Sequence, residues 1–259
     1  MSSLEITFLG TGTSTGIPMI GCGCEVCRSD DPRDKRDRCS IHVKSPECAW
    51  VVDTGPDFRQ QCLRESITKL DAAVFTHAHS DHIMGFDDLR RFTLGIDDSI
   101  PIFANAHCLG MLKTIFHFAF DGENRYPSYL KPVPHLVDGP FSLGETLVTP
   151  LPVQHGKVDT IGYLFSRAGK TLAYIPDCKT PLPETLAKLH SPDVLVIDSL
   201  RYSAHPTHMN VEEATAFSIQ IGAKTTWLTH FQCDISHRRL EEELPPEIRP
   251  AYDGLKFTL

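Results

Sequence analysis

The chain has 259 residues, 41% hydrophobic and 22% charged, with a formal net charge of -8, enough to bury a substantial core and ordinary for a soluble protein. The acidic balance argues against affinity built on covering nucleic-acid phosphates with Lys and Arg, so no large nucleic acid is expected as a partner. The start "MSSLEITFLGTGT" lacks a basic segment followed by a long apolar run, and no stretch reaches the roughly 18 apolar residues of a membrane span; a cytoplasmic protein without membrane contact is expected.

The first strand pattern is "LEITFL" (4–9), followed by "IGCGCEVCRSDD" (20–31), which puts Cys22, Cys24 and Cys27 within six positions. Cysteines of an unexported chain stay reduced, so metal binding or burial is expected of them. Three so closely spaced supply three-quarters of a tetrahedral metal site. Further strand patterns are "AWVVD" (49–53), "AAVFT" (72–76), "IPIFA" (100–104), "TLVTPLPV" (146–153), "IGYLFS" (161–166), "TLAYI" (171–175), "VLVID" (194–198) and "TWLT" (226–229). Between them, Phe58, Cys62, Leu63, Ile67 and Leu70 share one helical face, as do Leu109, Leu112, Ile115, Phe116 and Ala119. Asn210 with Glu213 reads as a capping box opening a helix that ends at Gly222. Strands and helices mix throughout, without a linker or repeat, which predicts one α/β domain over 1–259.

The strongest motif is "FTHAHSDHIMG" (75–85), where His77, His79, Asp81 and His82 follow a strand end within six positions. Imidazoles and carboxylates are the usual ligands of zinc and similar divalent metals, and four on one tight loop suit two adjacent ions better than one. His155, Asp177 and His230 each follow another strand pattern, where loops converge at a sheet edge. His42, His107, His117, His135 and His190 have no such context and are read as structural.

"THAHSDH" with these downstream residues resembles the metallo-β-lactamase superfamily. The resemblance implies an α/β fold, the αβ/βα four-layer sandwich, with a metal site at one edge. It implies that His77, His79 and His155 hold one metal, that Asp81, His82 and His230 hold a second, and that Asp177 bridges both. Asp53 in "VVDTGP" would orient a ligating histidine from behind. Within the superfamily, "FLGTGTSTGIP", the cysteine loop, "DPRDKRDRCS" and "GFDDLRRF" resemble the phosphodiesterases of phosphonate breakdown, which open a five-membered cyclic phosphate on ribose.

That narrower resemblance implies a structural zinc held by the loop at about 16–40 and by one residue after the last active-site histidine. Cys233 in "LTHFQCDISH" stands where the relatives have a histidine, giving Cys22, Cys24, Cys27 and Cys233 as a closed four-thiolate site, with His237 in reserve. Cys39, Cys48, Cys62, Cys108 and Cys178 lack such partners and are read as buried. His208 matches the relatives' general acid, with His205 the weaker candidate. Arg90, Arg91, Arg201, Tyr202 and Lys179 are candidates for gripping phosphate or ribose, each more readily read as a surface residue.

Two divalent ions (Zn or Mn) beside Asp81, Asp177 and a hydroxide leave a net charge of about +1, which suits a singly charged phosphodiester. The expected substrate is a small cyclic ribose phosphate or nucleotide-like diester, cut to a phosphomonoester. An RNA-processing nuclease or thioester hydrolase of the same fold, or a non-catalytic nucleotide-binding module, are the alternatives. Homodimerisation is expected by family analogy alone.

Overall fold

A computed structural model describes residues 3–95, 98–122, 126 and 129–259. The first half of the chain builds one mixed sheet from β1 (Glu5–Gly10), β2 (Ser40–Lys44), β3 (Ala49–Val52), β4 (Ala72–Val74), β5 (Ile100–Ala104) and β6 (Pro132–Leu136). The second half builds another from β7 (Phe141–Leu143), β8 (Thr146–His155), β9 (Val158–Arg167), β10 (Lys170–Ile175), β11 (Thr180–Pro181), β12 (Val194–Asp198), β13 (Thr225–Thr229) and β14 (Ile248–Pro250). A last strand, β15 (Lys256–Thr258), returns to pair antiparallel with β1, closing the order β15-β1-β2-β3-β4-β5-β6. The second sheet runs β11-β8-β9-β10-β12-β13-β14, with β7 on β8.

The short helices are α1 (Glu25–Arg28), α2 (Phe58–Arg64), α3 (Ser80–Ile83), α4 (Ala106–Ile115), α5 (His117–Phe120), α6 (Pro183–Leu186), α7 (Val211–Ile221) and α8 (His237–Glu243). Strand alternation assigns the layers. Trp50, Val52 and Val74 face an inter-sheet core shared with Tyr163, Phe165, Leu172, Tyr174 and Val196. Their neighbours Val51, Ala73 and Phe75 point outward onto Phe58, Phe86 and Leu112. On the other sheet Ala173, Ile175, Leu195 and Ile197 point outward onto Ala214, Phe217 and Leu240. Period-two apolar patterning on both faces therefore yields helix, sheet, sheet, helix, the four-layer α/β sandwich expected from the motifs.

Each of the nine strand patterns falls on a strand, and the Asn210–Glu213 box caps α7 reciprocally at 2.8 and 2.9 Å. Two helical readings are corrected. α2 stops at Arg64, because Ser66 takes φ 56°; Leu63 is 60% exposed and Leu70 reaches the core from the following loop. The second predicted helix is broken at Phe116 (φ -110°, ψ 40°) into α4 and α5. Of the cysteines read as buried, Cys39, Cys108 and Cys178 are, whereas Cys48 and Cys62 are half-buried.

What matters for function is direction. β3, β4 and β5 run parallel, as do β10, β12 and β13, so each set delivers its C-terminal loops to one edge. Asp53 follows β3, His77 to His82 follow β4, Asp177 follows β10, Asp198 ends β12 and His230 follows β13.

Candidate metal centres and active site

Asp53 organises the first half of the site. Its Oδ1 accepts the Thr76 backbone N–H at 2.8 Å, and its Oδ2 accepts both the Thr76 hydroxyl and His82 Nδ1–H at 2.8 Å. With its proton given to Asp53, Thr76 Oγ1 accepts His77 Nδ1–H at 3.0 Å. The Thr207 carbonyl accepts His155 Nδ1–H at 2.9 Å. Each bond fixes a tautomer, so in the neutral form His77, His82 and His155 all present a bare Nε2 lone pair. Asp53 (φ 66°) and His230 (φ 64°) hold left-handed backbone, a strain of about 1–3 kcal/mol each that the surrounding bonds sustain.

These lone pairs converge. His77 Nε2 and His155 Nε2 lie 2.9 and 3.3 Å from His79 Nδ1, which can offer a proton to only one of them. One Asp177 oxygen, Oδ2, sits 3.8 Å from His77, 3.6 Å from His155 and 3.4 Å from His230 Nε2, while Oδ1 is 3.2 Å from His82 Nε2. Asp81 Oδ2 is 3.3 Å from His82 and 3.7 Å from His230. The ligand atoms of His77, His79, His155 and Asp177 thus form one group, and those of Asp81, His82 and His230 a second, each within 4.8 Å. The seven expected residues are brought together, with Asp177 between the two groups.

Whether this donor set fits cations is answered by its unsatisfied atoms and its charge. His82 Nε2, Asp177 Oδ1 and both ring nitrogens of His230 are buried without a hydrogen-bond partner among the described residues, which an apolar site would not tolerate. Burial pushes Asp177 up, but His230 and His82 beside it hold its carboxyl well below the usual range. Burial opposes charge on His82 as well, yet Asp177, Asp81 and Asp53 keep a proton on it well above the imidazole range. The pocket wants positive charge, and bare imidazole nitrogens facing two carboxylates suit divalent metal.

A cavity of about 300 Å³ opens onto this centre, lined by Ser14, His79, Asp81, His155, Gly156, Lys157, Val158, Asp177, Thr207, His208 and His230. His208 Nδ1 lies 2.7 Å from Asp198 Oδ2, which also accepts the Cys178 backbone N–H at 2.8 Å. Its ring stacks 4.8 Å from His230 and sits edge-on 4.6 Å from His155. Burial pushes His208 down and Asp198 well up, drawing the two partners of that bond together. His208 also lies within ligand range of Asp177 and His230. His205 does not line the cavity; its Nδ1 faces Thr207 N at 3.3 Å.

Asp198 is the residue that the sequence reading passed over. It closes the wholly buried strand "VLVID" as Asp53 follows "AWVV", and an acid ending an apolar strand was the available signal. The candidate phosphate grips lie elsewhere. Lys179 Nζ pairs with Glu213 at 2.6 and 2.8 Å, Tyr202 donates to Glu243 at 2.9 Å, and Arg201 bonds the Ser203 and Ala204 carbonyls. Arg90 and Arg91 line a separate, larger cavity of about 1000 Å³ with Phe58, Leu63 and Phe92, whose lining includes no histidine among the described residues.

The four expected thiols also meet: Cys22, Cys24, Cys27 and Cys233 place their sulfurs within 4.8 Å of one another, all free. A tetrahedron of about 2.3 Å Zn–S bonds has edges of about 3.8 Å, inside that spread. Backbone N–H groups of Cys27 and Met19 point at Cys24 and Cys27 sulfur (3.4 and 3.3 Å), and the first lowers the Cys24 thiol to about 7. Cys24 Sγ also lies 3.4 Å from the Cys233 carbonyl, which ties this loop to the segment three residues after His230. The reserve ligand His237 is not in the group; it is buried with its backbone N–H on Asp34.

The profile of the beta-lactamase superfamily domain matches residues 50–231. A solved structure described as a new diphosphatase from the PhnP family is 36% identical, with a TM-score of 0.91 over 99% of this chain and 97% of that one. The chain belongs to the PhnP-like branch of the metallo-β-lactamase superfamily. With that membership come hydrolase chemistry and divalent-metal binding. An octanoyltransferase of Porphyromonas gingivalis is 37% identical over 261 residues, 99% of this chain but 52% of that protein, so the chain spans about half the length of this relative. Zinc-bound PqqB of Methylobacterium extorquens has the same fold, with a TM-score of 0.78 at 20% identity over 98% of this chain and 100% of that one.

Proposed function

We propose that this PhnP-like protein is a metal-dependent phosphodiesterase that cuts a small diester, a cyclic ribose phosphate or nucleotide-like molecule, to a phosphomonoester. The observation that carries the reading is a cavity opening onto two donor groups with Asp177 between them and, beside them, a histidine backed by a buried carboxylate. His77, His79, His155 and Asp177 would hold one ion, and Asp81, His82, His230 and Asp177 the other, zinc or manganese. Such a pair would supply an activated water and offset the charge developing on phosphoryl oxygens. Cys22, Cys24, Cys27 and Cys233 would hold a third, structural zinc.

The chain's own contribution is orientation and a proton. Asp53 fixes His82 directly and His77 through the Thr76 hydroxyl, and the Thr207 carbonyl fixes His155. His208, held at Nδ1 by Asp198, has its Nε2 left to donate a proton to the departing alkoxide. A diphosphate presents similar phosphorus, and the PhnP-family relative is described as a diphosphatase. A phosphate leaving group needs a proton less than an alkoxide does, so the Asp198–His208 pair favours the diester.

The test is hydrolysis by purified protein, loaded with Mn²⁺ or Zn²⁺, of a chromogenic phosphodiester, its matched monoester and a nucleoside diphosphate. Diester cleavage that stops at the monoester and disappears with chelator is the expected result. Preferential diphosphate cleavage would replace the reading with a diphosphatase, and a loaded protein that turns over none of the three would refute it.

A further inference from the structure

We infer that Arg36 is a positioning residue for the metal centre: its buried guanidinium lies against Phe231 and through that ring holds His230 in place as a ligand of the second ion. The inference concerns metal binding and stands whether or not the substrate is a diester. His230 is the histidine of the centre that no hydrogen bond orients. Nδ1 of His77 is tied to the Thr76 hydroxyl, that of His82 to Asp53 and that of His155 to the Thr207 carbonyl, while His79 Nδ1 faces His77 and His155. Both ring nitrogens of His230 are buried without a partner among the described residues, and Asp198 Oδ1 stands 3.9 Å from Nδ1, beyond hydrogen-bond reach. Its backbone is strained as well, at φ 64°. Packing therefore orients this ring, through His208 stacked 4.8 Å away and through the neighbouring residue Phe231.

Phe231 is wholly buried, and its backbone is held: its N–H donates to the Thr11 carbonyl at 2.9 Å and its carbonyl accepts the Thr13 N–H at 3.0 Å. The Arg36 guanidinium carbon lies 4.7 Å from the centre of its ring, within cation–π range. The Arg36 side chain is itself wholly buried. Nη2 donates to Asp34 Oδ1 at 3.3 Å and Nε to the Arg33 carbonyl at 3.2 Å, while Nη1 has no partner among the described residues. Arg36 and Ile17 exchange two backbone bonds of 2.8 Å, and a Cβ on Gly12 would lie 2.9 Å from the Arg36 carbonyl, so the root of the side chain is fixed. Burial pulls the guanidinium down to about 10, with Asp34 acting the other way, which leaves it charged at neutral pH. A buried charge costs desolvation that a packed apolar side chain avoids, so stability is poor ground for it. A flat cation pressed on the ring beside an untethered ligand has a geometric use instead.

Metal binding without substrate provides the test. Co²⁺ is titrated into wild type, Phe231→Leu, the charge-neutral pair Asp34→Asn with Arg36→Met, and all three substitutions together. Each protein carries zinc in the cysteine site, and d–d absorption follows the two ions at the histidine centre. Asn keeps the oxygen that accepts the His237 N–H at 2.8 Å, and with both members neutral no buried charge is left unpaired. One ion is expected to bind about 10- to 100-fold more weakly in Phe231→Leu and in the neutral pair, while the other keeps its affinity. The triple variant should lose no more than the weaker-binding of these two, because both changes act on one contact. Unchanged affinity for both ions in either variant, equal weakening of both ions, or losses that multiply in the triple variant overturn the inference. The selective, non-additive loss in a protein that cleaves no diester upholds the inference and sinks the phosphodiesterase reading.

Discussion

Replacing Asp198 by Asn tests the acid chemistry at its most specific point. The carboxylate Oδ2 lies 2.7 Å from His208 Nδ1 and also takes the Cys178 N–H. Asn keeps the size and an oxygen for Cys178, so the fold persists. It cannot supply the negative charge that stabilises a protonated His208. A hydrogen bond to a charged group contributes about 1.5–3 kcal/mol, which at 1.36 kcal/mol per decade is about 10- to 150-fold in rate. The loss should appear only where the leaving group needs a proton. The assay compares thymidine 5′-methyl phosphate, which releases an alkoxide, with thymidine 5′-(4-nitrophenyl) phosphate, which releases a stable phenolate. Asp198→Asn and His208→Ala should both slow the methyl ester by at least about tenfold and the nitrophenyl ester by less than about threefold. Equal losses on both esters would refute the reasoning and point to His208 as a metal ligand.

Three further outcomes follow from other parts of the molecule. Cys233→Ser should release one zinc per chain, measured by mass spectrometry of the native protein, and lower the melting temperature, since a structural zinc site contributes folding free energy directly. Gly55→Ala should weaken metal binding at the histidine centre, read by competition with a chromogenic chelator, because its Cβ would stand 2.2 Å from the Asp81 carbonyl and displace that ligand's backbone. His42, buried with its Nε2 unpartnered among the described residues, is held down to about 4 by burial, against 6.5 when unfolded. A depressed imidazole stays neutral in the fold, so its contribution is complete above pH 6.5 and is lost as pH falls towards 4. Wild type should lose about 3 kcal/mol more than His42→Gln between pH 7 and 4 in urea unfolding.

The metal-type residues were legible because they cluster: His77 to His82 lie within six positions and the three cysteines within six more. The scattered members, His155, Asp177, His230 and Cys233, were found through strand ends and family pattern, and the geometry brings all of them in. What escaped was whatever depends on partners distant in sequence. Nothing around Asp198 announces His208 ten residues later, and nothing around Lys179 or Arg201 says that Glu213 and two backbone carbonyls occupy them. The helix faces failed for a local reason, since apolar spacing continues through Ser66 and Phe116 although the backbone there leaves the helix. The sheet order, too, is fixed by packing of the two inner faces, which periodicity alone leaves open.

The central claim is that two ions sharing Asp177 drive diester cleavage. It is tested most directly by adding Zn²⁺ or Mn²⁺ stepwise to metal-stripped wild type and Asp177→Asn while counting bound ions and diester turnover together. Wild type should bind three zinc ions per chain, with turnover rising only as the two histidine-centre positions fill. Asp177→Asn should keep the thiolate-bound zinc and lose turnover. Full activity with the cysteine site alone occupied, or in Asp177→Asn, would contradict the account.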